Sequence, residues 1–148
     1  MNRYLYIGAV VLLLLGCVSA CRTHRQATAS FSDLDGEWNV IEMNGKRLDP
    51  AVTRPVIGIE TATHRLYGNA GCNRMMGQIE YNDSHRNIIK FPHIGTTRMA
   101  CPDMSGENEL LKTLPEVVRF EAVGDKKPVT QIALYNLRNE KLLVLQRK

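Results

Sequence analysis

Of 148 residues only four are cysteine, at 17, 21, 72 and 101, and no two of them form Cys-x-x-Cys. That absence removes the usual arrangement for thiol exchange, in which a helix N-terminus depresses the pKa of an attacking thiol. No G-x-S-x-G occurs, and the Ser, His and Asp residues are scattered without a hydrolytic constellation. His24, His64, His85 and His93 lack metal-ligand spacing and are read as surface or loop residues. Neither internal repeats nor low-complexity tracts are present. No acidic residue precedes Cys21, and the only basic residue before it is Arg3. Beyond that cysteine 18 basic residues face 15 acidic ones, a balance too mild and too dispersed for nucleic acid. A weak affinity for anionic lipid is compatible with it, and ordinary solvated charge is the simpler reading.

What is present begins with a leader. Met1-Asn2-Arg3 is short and positive, and Tyr4 to Ala20 is an uncharged run of 17 residues ending in small side chains. This is the pattern of a secretory signal peptide; a membrane-spanning helix is the alternative, at the short end of the required length. Two tetrapeptides resemble the box at which bacterial lipoproteins are cleaved and acylated, Leu14-Leu15-Gly16-Cys17 and Val18-Ser19-Ala20-Cys21. The second fits better because Ser19 and Ala20 are both small. Cleavage before Cys21 also removes Cys17 and leaves Cys72 and Cys101 as an even pair, whereas cleavage before Cys17 strands a third thiol. The expected organisation is a signal peptide over 1–20, lipidated Cys21 with a flexible tether over 21–32, and one domain over 33–148. Fully extended, the polar stretch Arg22 to Ser32 reaches roughly 36 to 40 Å, enough to lift a small domain clear of lipid headgroups. The domain is expected outside the cytoplasm of a bacterial envelope, tethered to the bilayer.

Short alternating runs fill the domain. "GEWNVIEMNGKRL" reads as a strand, an Asn44-Gly45 turn and a short return. Val56 to Glu60, His64 to Gly68, Gln78 to Tyr81, Asn87 to Phe91, Val117 to Val123, Thr130 to Asn136 and Lys141 to Gln146 follow as strands, the last two forming a closing hairpin. Leu110, Leu111 and Leu114 recur at helical spacing after Ser105, a candidate N-cap, with Glu107 and Glu109 suited to the positive end; Pro115 should stop the helix at Leu114. The fold class is therefore α+β: a curled, barrel-like antiparallel β-sheet of about eight short strands with one packed helix. Trp38, Leu66, Ile79, Ile89, Leu110, Leu114, Val117, Ile132, Leu134, Leu142 and Val144 are the expected core.

Two stretches carry unusual chemistry, "GNAGCNRMMG" at 68–77 and "TTRMAC" at 96–101. Together with "ENELLKTLPEVVRFE", they resemble the META domain family, also called HslJ-like, with Gly71-Cys72-Asn73-Arg74, Gly77, Thr97-Arg98-Met99, Cys101 and the Glu109-Leu110 helix start in the family's order. The resemblance implies a small α+β envelope domain, often lipid-anchored, associated with stress and without established catalysis or cofactor.

A cysteine in each of two motifs about thirty residues apart, in an exported protein, is most economically a disulfide, closing a loop for about 3.6 kcal/mol. Two buried unpaired thiols are the alternative. Met75, Met76, Met99 and Met104 lie near the cysteines, so Cys72, Met75, Met99 and Cys101 form a conceivable soft-metal set for Cu(I), although methionine more often fills gaps beneath loops. Gly68, Gly71 and Gly77 suit a tight turn or bulge between strands. Arg74 and Arg98, with Asn73, are the candidate recognition residues, should the two motifs meet; ordinary surface ion pairing is the plainer reading for the arginines. The function expected is a non-enzymatic binding or structural module of envelope or stress homeostasis, with a possible envelope protein partner. A carrier of a small apolar ligand or soft metal, and a module that inhibits or docks on a protein, stand as alternatives.

Overall fold

The computed structural model describes residues 28–49 and 55–148. The leader, both candidate lipidation cysteines and most of the tether lie outside the described residues. Among the described residues eleven strands form: β1 Gly36–Met43, β2 Lys46–Arg47, β3 Val56–Glu60, β4 Arg65–Asn69, β5 Arg74–Gln78, β6 Glu80–Tyr81, β7 Ile89–Lys90, β8 Ile94–Thr96, β9 Arg119–Ala122, β10 Gln131–Tyr135 and β11 Lys141–Arg147. The helix α1, Ser105–Thr113, lies between β8 and β9 in sequence. Among the described residues no helix is long and apolar enough to cross a membrane.

Nine strands make one antiparallel sheet in the order β8-β5-β4-β3-β1-β11-β10-β9, with β2 added to β1, while β6 and β7 pair separately. The first half of β1 pairs with β3 and its end with β2. On the other side β1 pairs with β11 along its length, across an irregularity between Val40 and Glu42. Such a break bends a strand and increases local twist. The sheet curls without closing, because β8 and β9 are its two ends. The helix α1 links those ends in sequence and buries Leu110 in the same core cluster, with Leu114 just beyond its last turn.

The predicted core residues are all buried. Trp38, Phe91 and Phe120 are its largest fully buried side chains, each stabilising the fold by about 1.5–3 kcal/mol through apolar burial. Trp38 stays satisfied there because its indole N–H donates to the Leu34 carbonyl at 2.7 Å. Val144 departs from the expected arrangement: it is buried with Ala133 outside the main cluster, whereas Leu143 and Leu145 point into it.

Four local expectations are corrected. The turn expected between strands within Gly68–Gly77 forms as the β4–β5 turn, but the strand after it runs Arg74–Gln78 with Glu80–Tyr81 a separate strand, in place of one strand over Gln78 to Tyr81, and Ile94–Thr96 adds a further strand. The helix begins at Ser105 with Met104 at the N-cap, and Asp103 Oδ1 takes the Ser105 N–H at 2.9 Å in place of a Ser105 cap. It ends at Thr113, and Leu114–Glu116 continues as a 3-10 turn around Pro115. Packing also starts before Asp33: Ala29 and Phe31 are buried, and Phe31 stacks on Tyr81 at 3.9 Å. The Asn44-Gly45 turn forms as expected, both residues taking positive φ, 49° and 78°, as a primed turn requires.

Candidate functional site

The three motif segments converge on one place. Asn69 closes β4, and its Oδ1 accepts the Gly71 N–H at 2.7 Å, turning the chain back toward β5. Gly71 stands at φ 145°, a backbone conformation that side chains rarely adopt, and Glu107 Cβ lies 3.5 Å from where its own Cβ would be. The backbone angle is what calls for glycine here, since a Cβ would meet the first turn of α1 only at ordinary contact distance.

Cys72 follows and is joined to Cys101 by a disulfide, with the Cα atoms 6.5 Å apart. Beside this link Asn73 is 1% exposed and Glu107 is 4% exposed. Glu107 Oε2 accepts the N–H groups of Cys72 at 3.0 Å and Asn73 at 2.7 Å, and Oε1 accepts Asn73 Nδ2 at 2.8 Å. On its other side Asn73 Oδ1 accepts the Thr97 hydroxyl at 2.8 Å and the Met99 N–H at 2.7 Å. Thr97 Oγ1 also takes the Arg74 N–H at 3.1 Å, while the Thr97 N–H donates to the Arg74 carbonyl at 3.0 Å.

A buried carboxylate is costly unless donors surround it. Burial pushes the Glu107 carboxyl up, but the Asn73 N–H, the Asn73 amide and the Cys72 N–H together outweigh it and hold the group below its ordinary value. Its place in the first turn of α1 adds the favourable end of the helix dipole. A side chain from the helix thus ties the β4–β5 turn, and Asn73 passes the tie to the segment after β8.

The sequence-based candidates separate accordingly. Asn73 is buried with its amide committed to this network, which removes it from recognition. Met75 is buried in the core while Met99 is 59% exposed, and the two cysteine sulfurs are bonded to one another; the proposed soft-metal set does not assemble. No cluster of three or more His, Cys, Asp or Glu suited to a metal occurs among the described residues. Arg74 and Arg98 are both exposed, on neighbouring segments, as the Arg74–Thr97 pairing requires. The residue that sequence reasoning missed is Glu107. Its only signal was an acid in a first helical turn, which ordinary capping already explains.

The interior of the sheet is filled by side chains, Trp38, Ile57, Leu66, Phe91, Phe120 and Leu134 among them. A surface cleft of about 550 Å³ opens where the β1–β2 turn faces the start of α1 and includes Lys46, Arg47, Leu48 and Gly106.

A curled antiparallel sheet crossed by one helix, pinned by a disulfide and a buried Asn–Glu pair, defines a small α+β domain whose motif residues hold the fold together. Residues 31–148 match the META domain model, and the chain belongs to the META domain family. That family is not known as an enzyme family. Among solved structures, an NMR structure of a protein from Burkholderia xenovorans is similar at 22% identity and TM-score 0.61, over 80% of this chain and 86% of that one. A second NMR structure is similar at 18% identity and TM-score 0.57, over 80% and 94%. A DUF4847 family protein from Bacteroides vulgatus is similar at 14% identity and TM-score 0.53, over 78% and 94%. These likenesses concern the fold alone. Comparison with curated proteins found no match.

Proposed function

We propose that the chain is a lipid-anchored module of the bacterial cell envelope, its META domain held outside the cytoplasm, acting without catalysis as a binding or structural element of envelope or stress homeostasis. The observation that carries this reading is the Asn73–Glu107 network beside the Cys72–Cys101 bond. The motif groups best suited to nucleophilic or acid–base chemistry are consumed by structure, and a disulfide suits an oxidising compartment. The leader, the Val18-Ser19-Ala20-Cys21 box and the even pair left after cleavage support the anchor at Cys21, with Cys17 the alternative. Several acyl chains hold essentially permanently, where a single chain binds only marginally.

Intact mass spectrometry of the protein purified from membranes without reductant tests this. The expected product starts at Cys21, carries acyl mass and lacks two hydrogens for the internal disulfide. A water-soluble, unacylated product with its leader intact overturns the anchored reading. A product starting at Cys17 moves the anchor to the alternative cysteine.

Of the other classes, a protein-docking module gains support from the surface. Met76 and Met99 are 61% and 59% exposed beside the motif hairpin, where apolar side chains adapt to varied partners. The packed interior lends no such support to a carrier inside the sheet.

A further inference from the structure

The two ends of the large sheet are treated differently. Beyond β9 the edge is covered: Ile88 bridges to Arg119, the Ile89 N–H donates to the Val118 carbonyl at 3.1 Å, and the Phe120 N–H donates to the Asn87 carbonyl at 2.9 Å. At the opposite end β8 pairs, among the described residues, with β5 alone, Met75 facing Thr96, Met76 facing Gly95 and Gly77 facing Ile94. The Thr97 N–H donates to Arg74, so by the alternation of an antiparallel ladder Gly95 and Thr97 turn their main chain toward β5. The N–H and C=O groups of Ile94 and Thr96 consequently point away from the sheet. These are the groups with which an added strand pairs.

Three further features meet at this edge. A groove of about 470 Å³ runs between β8 and the helix side, with Pro92, His93, Ile94, Leu111 and Pro115 along it, a place for alternate side chains of an incoming strand. On the opposite face Met76 stands 61% exposed across from Gly95, which has no side chain to cover it, and Met99 is 59% exposed just past the strand. Two of the four exposed large hydrophobic residues among those described are therefore here. Finally Arg74 and Arg98 flank the edge, and neither enters an ion pair among the described residues. The Glu107 carboxylate is enclosed by its donors.

We propose that the open edge of β8 is a docking site for a short, extended, acidic segment of another protein, which adds to the sheet as a further strand. Main-chain groups would supply the pairing, the Leu111–Pro115 groove and the two methionines would receive apolar side chains, and Arg74 and Arg98 would select carboxylates. A second copy of the chain is the poorer occupant, because antiparallel pairing of β8 with itself brings these unpaired arginines of both copies to one seam. The edge is short and preceded by Pro92, devices that limit indiscriminate edge pairing, so a short segment is what it admits. This deepens the docking form of the non-enzymatic reading and rests on it, but not on the position of the anchor.

The test is an amide-resolved NMR titration of the full-length chain in detergent micelles with a short peptide of alternating valine and glutamate. Its controls are the lysine counterpart and the same acidic peptide N-methylated along one edge. The acidic peptide is expected to shift the amide resonances of residues 93–97 and slow exchange at Ile94 and Thr96, with a dissociation constant below about 1 mM. The lysine peptide should bind at least about tenfold more weakly, the N-methylated one should leave those amides unprotected, and Arg74→Glu with Arg98→Glu should reverse the charge preference. Absence of shifts at residues 93–97, equal binding of acidic and basic peptides, or Ile94 and Thr96 amides already protected in a sedimenting dimer overturns the proposal. The mass of the mature protein reads the anchor independently, so failure of one leaves the other standing.

Discussion

At Glu107 three donors converge on two carboxylate oxygens that water scarcely reaches. Replacing the acid with an amide keeps the volume but turns an acceptor into a donor facing other donors. Glu107→Gln is expected to destabilise the domain by about 2–4 kcal/mol at neutral pH. The dependence on pH has a definite sign. Because the folded group is held below its ordinary value, its stabilisation is complete above the unfolded pKa of about 4.3 and is lost as pH falls through the folded value. Urea unfolding of wild type and variant at stepped pH should therefore show their difference shrinking on the acid side. A gap that stays constant with pH removes the charge from the explanation. Part of the acid limb should survive in the variant, since Asp33 is held at about 2, first by its hydrogen bond from Lys127 and next by the Ser30 N–H. The cysteines were legible from sequence because they are few and their parity constrains them. Glu107 was not, because burial of one first-turn acid depends on which turn packs above it.

Among the elements, the β4–β5 hairpin is held to α1 and to the segment after β8 by two different means, one covalent and one polar. The disulfide closes a separation of 29 residues, for which loop entropy gives about 3.6 kcal/mol. The Asn73 network joins the same segments through bonds that do not involve the sulfurs. Cys72→Ser combined with Cys101→Ser is thus expected to lower stability by about 2–4 kcal/mol, with the near-UV circular dichroism of the folded form retained; reduction of the wild type should give a comparable loss. Collapse of that folded signal would place the disulfide ahead of the polar network in defining the fold. Val56 to Glu60, with a valine and two isoleucines, and Lys141 to Gln146, with three leucines and a valine, were readable as short apolar runs bounded by polar residues. β5 and β8 were hidden: Arg-Met-Met-Gly-Gln has weak strand preference and Ile-Gly-Thr is only three residues long with a central glycine, and they form because neighbouring strands and the Asn73 bonds hold them there. Gly77 fits the same account, since a Cβ there would stand 2.5 Å from the His93 carbonyl oxygen.

Across the whole molecule the two ends of the described chain are fastened to each other. The Lys148 N–H donates to the Glu37 carbonyl at 2.9 Å, and Lys127 pairs with Asp33 at 2.6 Å. Arg147 lies over the Trp38 ring at 4.2 Å while its guanidinium donates to the carbonyls of Val129 at 3.1 Å, Asp35 at 2.8 Å and Asp33 at 2.5 Å. A domain tethered through its N-terminal side would take any pull along residues 28–38, and β11, paired with β1 and tied to this segment by Arg147, is placed to resist it. The cation over the ring, together with the three carbonyls that lose its donors, leads to an expected loss of about 2–3 kcal/mol for Arg147→Ala. Arg147→Lys keeps a charge near the ring but cannot reproduce the planar fork of donors, so it should fall between wild type and alanine. Hydrogen exchange separates this clasp from a general weakening. Amides of residues 28–38 should open in Arg147→Ala at a lower free energy than those of β4 and β5, whereas a uniform drop would mean that Arg147 contributes only bulk stability.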